Sequence, residues 1–267
     1  MKTEETTSAA LQPTLARELG LFDATTITVG TIIGSGIFLV PTAIAAQLAS
    51  PAMVLLVWVV GGVLTLFGAL SLAEMAAAFP GAGGLYVYLR QAYGSAAGFL
   101  YGWALLFMIH SGSIATLAVA FGIYTAQFFP LTSAGQKGVA VFCVLLLTGV
   151  NCLGVRAGKW VQNIFTVAKV GGLATMTFLI FARPASLGGL RQSFWPQAPF
   201  APAWIQFGVA LVAVLWAYEG WHVVSFTAGE IKRPAYALPR SLLYGSLIVT
   251  LAYLLANTSY YAVLTGG

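Results

Sequence analysis

Charge is the scarcest property of this chain. Only 7% of its 267 residues are Asp, Glu, Lys or Arg, where a soluble domain carries about 25%. None falls between Ala24 and Ala73 or between Gln91 and Gln136. With 59% apolar residues and a mean hydropathy of +0.89, such stretches belong in lipid, which excludes a soluble globular domain. Cysteine is equally sparse. Cys143 and Cys152 are the only two, and they sit roughly 13 Å apart along one predicted helix. That is too far for a disulfide within the helix, and the spacing suits no metal, so both read as small apolar core residues. With only two histidines, there is no metal-ligand cluster and no nucleophile–base pair. These absences argue against an enzyme, against a bound metal and against a cofactor. The net charge of +5 is carried at the ends of apolar runs, so it is no nucleic-acid footprint.

What is present is a series of seven apolar spans, predicting an all-α transmembrane protein. They run from about Phe22 to Leu48, Ala52 to Ala78, Ala96 to Phe128, Lys137 to Leu153, Val161 to Ala182, Ala203 to Ala228 and Arg240 to Val263. Residues 1–20 are polar and read as a cytoplasmic tail, not a signal peptide, because the apolar run starts too late and no cleavage pattern follows. Residues 183–202 hold Pro184, Pro196, Pro199 and Pro202 and read as an extended external loop. Gly154–Trp160 reads as a short basic loop, and Tyr86–Gly94 as an amphipathic, tyrosine-rich stretch suited to a membrane boundary. Placing the N-terminus inside puts eight Lys and Arg residues on that side and three on the other. The positive-inside rule therefore predicts a cytoplasmic N-terminus and, with seven spans, an external C-terminus.

The first span is interrupted at Gly34-Ser35-Gly36. Irregular backbone at membrane depth is tolerated where it is buried in protein or lines a wet cavity; small residues there also serve close helix packing. Alone, the motif leaves both readings open. The sixth span carries a second interruption, Trp216-Ala217-Tyr218-Glu219-Gly220-Trp221-His222. The breaks lie five spans apart and so run in opposite directions, the sequence sign of an inverted repeat that holds its substrate where both helices unwind. The start of one half-helix can take a carboxylate, and free carbonyls at the other break can take an ammonium. An α-amino acid offers both groups.

Lys169 lies about eight residues inside the fifth span, about 12 Å from its end, further than its side chain comfortably snorkels. Its ammonium needs oxygen partners from other helices, and the carbonyls and Ser35 at the first break are the obvious supply. A carboxylate at the depth of Glu219 is costly unless paired, protonated or wet. That leaves substrate or proton handling and hydrogen bonding to unwound backbone both open. His110 reads as a histidine bonded within the bundle.

These motifs resemble the amino acid–polyamine–organocation transporter superfamily, most closely its L-amino acid transporter branch. The resemblance is carried by Gly34–Phe38, Glu74–Pro80, Gly83–Arg90, Ala92–Gly94, Gln162–Thr166 with Lys169, Trp216–Trp221 and Glu230–Pro234, in that order. It implies a LeuT-like inverted-repeat helix bundle, with residues 21–182 as the first five-helix repeat and residues 203–267 as the start of the second. It implies sodium-independent exchange, or facilitated or proton-coupled transport, of amino acids across the plasma membrane. By resemblance, Ser35 and Gly36 bind the substrate carboxylate. The Ile32 carbonyl meets the amino group, helped by the carbonyls of Trp216 and Glu219. Trp216 lids the occluded substrate. Lys169 stands in the place of a sodium ion and acts as a tether. His222 and Glu219 line the substrate site but depart from the residues common in relatives. The resemblance implies no cofactor and no nucleic acid, and assigns no partner subunit or oligomeric state.

Members of the superfamily are usually longer. Here the second repeat stops after two spans, so the chain is expected to be a fragment or to draw its remaining helices from elsewhere, the helix facing Lys169 among them. The rivals are a non-transporting accessory membrane subunit and a seven-helix receptor or retinal protein. The latter places its N-terminus outside and would carry a lysine in the seventh span, where this chain has none. A channel is disfavoured because no repeated pore loop is visible.

Overall fold

The computed structural model describes residues 15–48, 50–79, 81–182, 194 and 203–264. The first fourteen residues of the expected tail, the expected external loop apart from Phe194, and the three C-terminal residues lie outside the described residues.

The described elements are helical. They begin with α1 (Leu21–Ile32), α2 (Gly36–Gln47), α3 (Pro51–Ala78) and α4 (Leu85–Tyr93). Next come α5 (Ser95–Ala104) and α6 (Ser111–Thr125), joined by a π-wound turn at Leu105–His110. The chain continues with α7 (Ser133–Cys152), α8 (Val155–Phe181) and α9 (Ala203–Ala217). A 3₁₀-wound segment, Trp221–Glu230, then leads into α10 (Pro234–Leu264). Six of these runs are long and apolar enough to cross a membrane, and the pair α1 and α2, bent by 43°, makes a seventh. The expected seven spans, the first and sixth broken, are therefore present.

Local chemistry sets the ends. Ser50 caps α3 by accepting the Met53 amide (3.4 Å), with Pro51 in the first turn, where its missing N–H costs nothing. Asp23 accepts the Gly20 amide (2.9 Å) in the first turn of α1. Two expected boundaries shift by six residues. The basic stretch expected as a loop, Gly154–Trp160, is helical from Val155, because Gly154 at φ +105° reverses the chain directly after α7. The seventh span starts at Pro234 rather than Arg240, since proline suits the first helical position.

The described chain packs as two compact units. One comprises residues up to Gly84 and from Thr166 onward; the other is Leu85–Phe165. The first holds the core: Trp58, Tyr218 and Tyr253 are fully buried among Ile33, Ile37, Ile44, Val54, Val57, Val214 and Val249. The three rings meet at centroid separations of 5.0–5.8 Å, tilted or edge-on as aromatic quadrupoles prefer. Around them α3, α9 and α10 approach closely: Gly61 faces Val214, and Gly62 faces Thr250 and the Tyr218 hydroxyl.

The sixth-span break depends on one glycine. Gly220 has φ +113°, and a Cβ there would lie 2.7 Å from the Thr31 carbonyl oxygen. Both the backbone conformation and the space therefore require glycine. Gly220→Ala is expected to destabilise the protein by at least about 2 kcal/mol, since left-handed backbone and a main-chain clash add. Gly208→Ala, whose Cβ meets nothing within 4 Å in α9, should be neutral or slightly stabilising. Thermal denaturation of the two purified variants in detergent separates these outcomes.

Candidate functional site

The first break begins where α1 ends at Ile32. Ile33 is extended (φ −72°, ψ 92°), Ser35 caps α2, and α2 starts at Gly36. The first bonds of α2 run from the Phe38 and Leu39 amides to the Ser35 carbonyl, at 3.1 and 3.2 Å. The amides of Gly36 and Ile37 thus open the helix without an intrahelical acceptor. The Ser35 hydroxyl, half-buried, makes no capping bond.

The last carbonyls of α1 are met by side chains from distant elements. Lys169 Nζ, from α8, donates to the Gly30 carbonyl (2.7 Å) and the Ile33 carbonyl (2.9 Å). The Tyr253 hydroxyl, from α10, lies 3.0 Å from the Ile32 carbonyl and 2.9 Å from the Ala217 carbonyl at the end of α9. One buried hydroxyl therefore spans both breaks. Ser35, the other partner expected for Lys169, is not among the hydrogen bonds of that ammonium. The Ile32 carbonyl, expected to be free for a substrate amine, already holds Tyr253. A carbonyl oxygen has two lone pairs, so one remains.

At the sixth break α9 stops at Ala217, and Tyr218–Gly220 form a turn. The Tyr218 amide donates to Val214 and the Glu219 amide to the Trp216 carbonyl (3.2 Å), while the Tyr218 hydroxyl reaches the Trp58 carbonyl (3.2 Å). The two breaks touch. A Cβ added at Gly36 would sit 3.1 Å from Cα and Cβ of Ala217 and 3.6 Å from Cζ3 of Trp216. The glycine is what lets the start of α2 reach the end of α9. Trp216 is 60% exposed beside this contact. Glu219 is also exposed, and its carboxylate lies 3.4 Å from Nδ1 of the mostly buried His222, one turn on.

The structure thus gathers Ile32, Ser35, Gly36 and Lys169 at the first break, and Trp216 at its contact with the second. Glu219, within the turn, and His222, just after it, pair with each other. Sequence reasoning missed Tyr253 and Thr31, whose hydroxyl donates to the Gly220 carbonyl at the second break (3.0 Å). A tyrosine in the middle of an apolar span was a usable signal, because a buried hydroxyl needs a partner. Thr31 gave none, since threonine in such a span usually bonds its own helix. Among the described residues no group of His, Cys, Asp or Glu could hold a metal ion.

Residues 19–267 match the family model for amino acid permeases. The chain is 36% identical over 251 residues to the serine/threonine exchanger SteT of Bacillus subtilis, covering 94% of this chain and 56% of that protein. It is 36% identical to the human b(0,+)-type amino acid transporter 1, over 94% of this chain and 52% of the relative. To the human large neutral amino acids transporter small subunit 2 it is 34% identical, over 94% and 48%. The chain therefore spans about half the length of the curated relatives it matches. Their names are those of transporters and exchangers, not enzymes. With its seven candidate spans and a family match over nearly its whole length, the chain is a multi-pass membrane protein that belongs to the amino acid permease family.

Proposed function

We propose that the chain forms the substrate-holding half of an amino acid transporter that works by alternating access, and that the substrate's α-amino and α-carboxylate groups are bound at the two breaks. The observation that carries this reading is the direct contact of the breaks, Gly36 against Ala217 and Trp216, with unpaired amides on one side of it. In this reading the Gly36 and Ile37 amides and the Ser35 hydroxyl take the carboxylate, where a helix start favours negative charge. The second lone pair of the Ile32 carbonyl, with those of Trp216 and Glu219, takes the ammonium. Trp216, large and exposed beside Gly36, closes over the substrate and excludes water. Glu219 and His222 line the side-chain end.

Lys169 acts as a fixed cation. Its ammonium, held by Gly30 and Ile33, keeps α1 from rewinding through the break without need of a metal ion. This supports sodium-independent exchange or proton-coupled uptake. The repeat boundaries at residues 21–182 and 203–267, the plasma membrane and a cytoplasmic N-terminus complete the reading, the last supported by the excess of Lys and Arg on that side. Counter-flow of labelled amino acids in proteoliposomes tests it, on this chain and on a version completed with the remaining helices of a relative. Amino-acid-dependent counter-flow by the completed protein is expected. Its absence for every amino acid would defeat the reading.

Three variants of the completed protein sharpen the test. Gly36→Val places branched carbon against Ala217 and should weaken amino acid binding at least about tenfold, as expected for lost hydrogen bonds to a charged group. Unchanged binding would reduce the motif to helix packing. Lys169→Ala leaves two carbonyls without their cation and should slow exchange more than about tenfold, with no rescue by added sodium. Wild-type rates, or sodium rescue, would show that the tether is not needed. Tyr253→Phe removes the hydroxyl between Ile32 and Ala217 and should destabilise the protein by about 1–3 kcal/mol. A thermal midpoint equal to wild type would show that the two carbonyls find other donors.

A further inference from the structure

The start of α10 gathers positive charge. Lys232, Arg233 and Arg240 are all exposed, and among the described residues none of them is ion-paired to an Asp or Glu. They stand at the beginning of a 31-residue helix, the end at which the macrodipole is positive and a cation is disfavoured. The positive-inside rule accounts for the sign of charge beside a span, but not for crowding cations at that pole.

Arg233 departs from local preference in two further ways. With φ +51°, it is the only non-glycine with left-handed backbone among the described residues, a conformation that suits Gly or Asn. Its carbonyl accepts the Tyr236 and Ala237 amides at 3.0 and 2.9 Å. It therefore holds the capping place, where a guanidinium has no lone pair to offer. The backbone around it is fixed: Ile231 pairs with Leu19 in an isolated bridge, and the Lys232 amide donates to the Leu19 carbonyl (2.8 Å). Arg240 is also held. Its guanidinium carbon lies 3.7 Å from the centre of the Tyr236 ring, and its Nη1 donates to the Tyr236 carbonyl at 3.4 Å.

Past Arg240 the same face of the helix turns apolar. Tyr236, Arg240, Tyr244, Leu247 and Leu251 recur every three or four residues and are all exposed, so they form one stripe. Leu238, Leu242 and Val249, on the other side, are fully buried. The eleven steps from Arg240 to Leu251 cover about 16 Å, close to the hydrocarbon depth of one leaflet, about 15 Å. The order of cation, tyrosine and aliphatic side chain is that of phosphate, glycerol backbone and acyl chain in a phospholipid.

We propose that this stripe binds one anionic phospholipid, its phosphate held by Lys232, Arg233 and Arg240 and an acyl chain laid along Tyr244, Leu247 and Leu251. A zwitterionic lipid also offers a phosphate but brings its own cation to it, so the patch prefers a headgroup with net negative charge. The site involves no group of the substrate site and stands whether or not the chain transports.

Native mass spectrometry and thermal denaturation of the purified chain in detergent test this, with phosphatidylglycerol, phosphatidylcholine and glycerol 3-phosphate as probes. Phosphatidylglycerol is expected to bind at least about fivefold more tightly than phosphatidylcholine and to raise the thermal midpoint. Equal retention of the two lipids would overturn the proposal. Lys232→Gln and Arg240→Gln should each weaken phosphatidylglycerol binding about fivefold and leave phosphatidylcholine unaffected. Arg233→Asn places a residue suited to left-handed backbone and to capping. Its lipid-free midpoint should equal or exceed that of the wild type, while its phosphatidylglycerol binding falls about fivefold. Wild-type lipid preference in all three variants would overturn the assignment. Displacement of phosphatidylglycerol by millimolar glycerol 3-phosphate would overturn it too, since the patch would then hold a free phosphate and not a lipid.

Discussion

A helix that stops in an apolar medium leaves carbonyls that neither water nor the next turn can satisfy, and the packing of this protein is arranged around that constraint. The carbonyls of Gly30, Ile32 and Ile33 would each cost several kcal/mol if left bare at membrane depth. Each has a side-chain donor from a distant part of the chain: Lys169 for two and Tyr253 for the third. These donors fix where α8 and α10 lie against α1, and the aromatic core of Trp58, Tyr218 and Tyr253 follows from the need to bury the tyrosine that reaches the break.

The choice of donors has consequences of its own. A lysine satisfies two carbonyls and is tied to the chain, as a bound ion would not be. The tyrosine brings no charge but reaches both breaks at once, so the end of α1 and the end of α9 share one proton donor. Small residues make the sharing possible: a Cβ at position 220 would lie 2.7 Å from the Thr31 carbonyl oxygen, and one at position 36 would press on Ala217 at 3.1 Å.

Most of the span layout was legible in the sequence because it is written in hydropathy, which a membrane enforces residue by residue. Both breaks were legible too, from glycines in otherwise apolar helices. The boundaries that moved, Val155 and Pro234, did so where a single residue's backbone preference outweighed composition. The site was legible only in part. Lys169 announced itself by being a charge where charge is costly, and its oxygen partners could be assigned to the first break. That Ser35 would not be among them could not be read, because it depends on the direction of one side chain. Thr31 left no trace in the pattern, since threonine in such a span usually bonds its own helix, and the bridge between Leu19 and Ile231 left none because main-chain pairing between remote segments has no side-chain signature. The 3₁₀ winding after Gly220 was invisible for the same reason.

That winding also acts as a measure of length. Eleven steps separate Gly220 from Ile231. At the α-helical rise they would span about 16 Å, and at the 3₁₀ rise about 22 Å. The companion strip from Leu19 through Gly20 and along α1 to Thr31 covers about 21 Å, counting its first two residues as extended. Only the tighter, longer winding brings both ends of one strip opposite both ends of the other. The register between the first and sixth spans is therefore set by helix type, not by residue count. A relaxation of Trp221–Glu230 into α-helix would leave one end about 5 Å short of its mate.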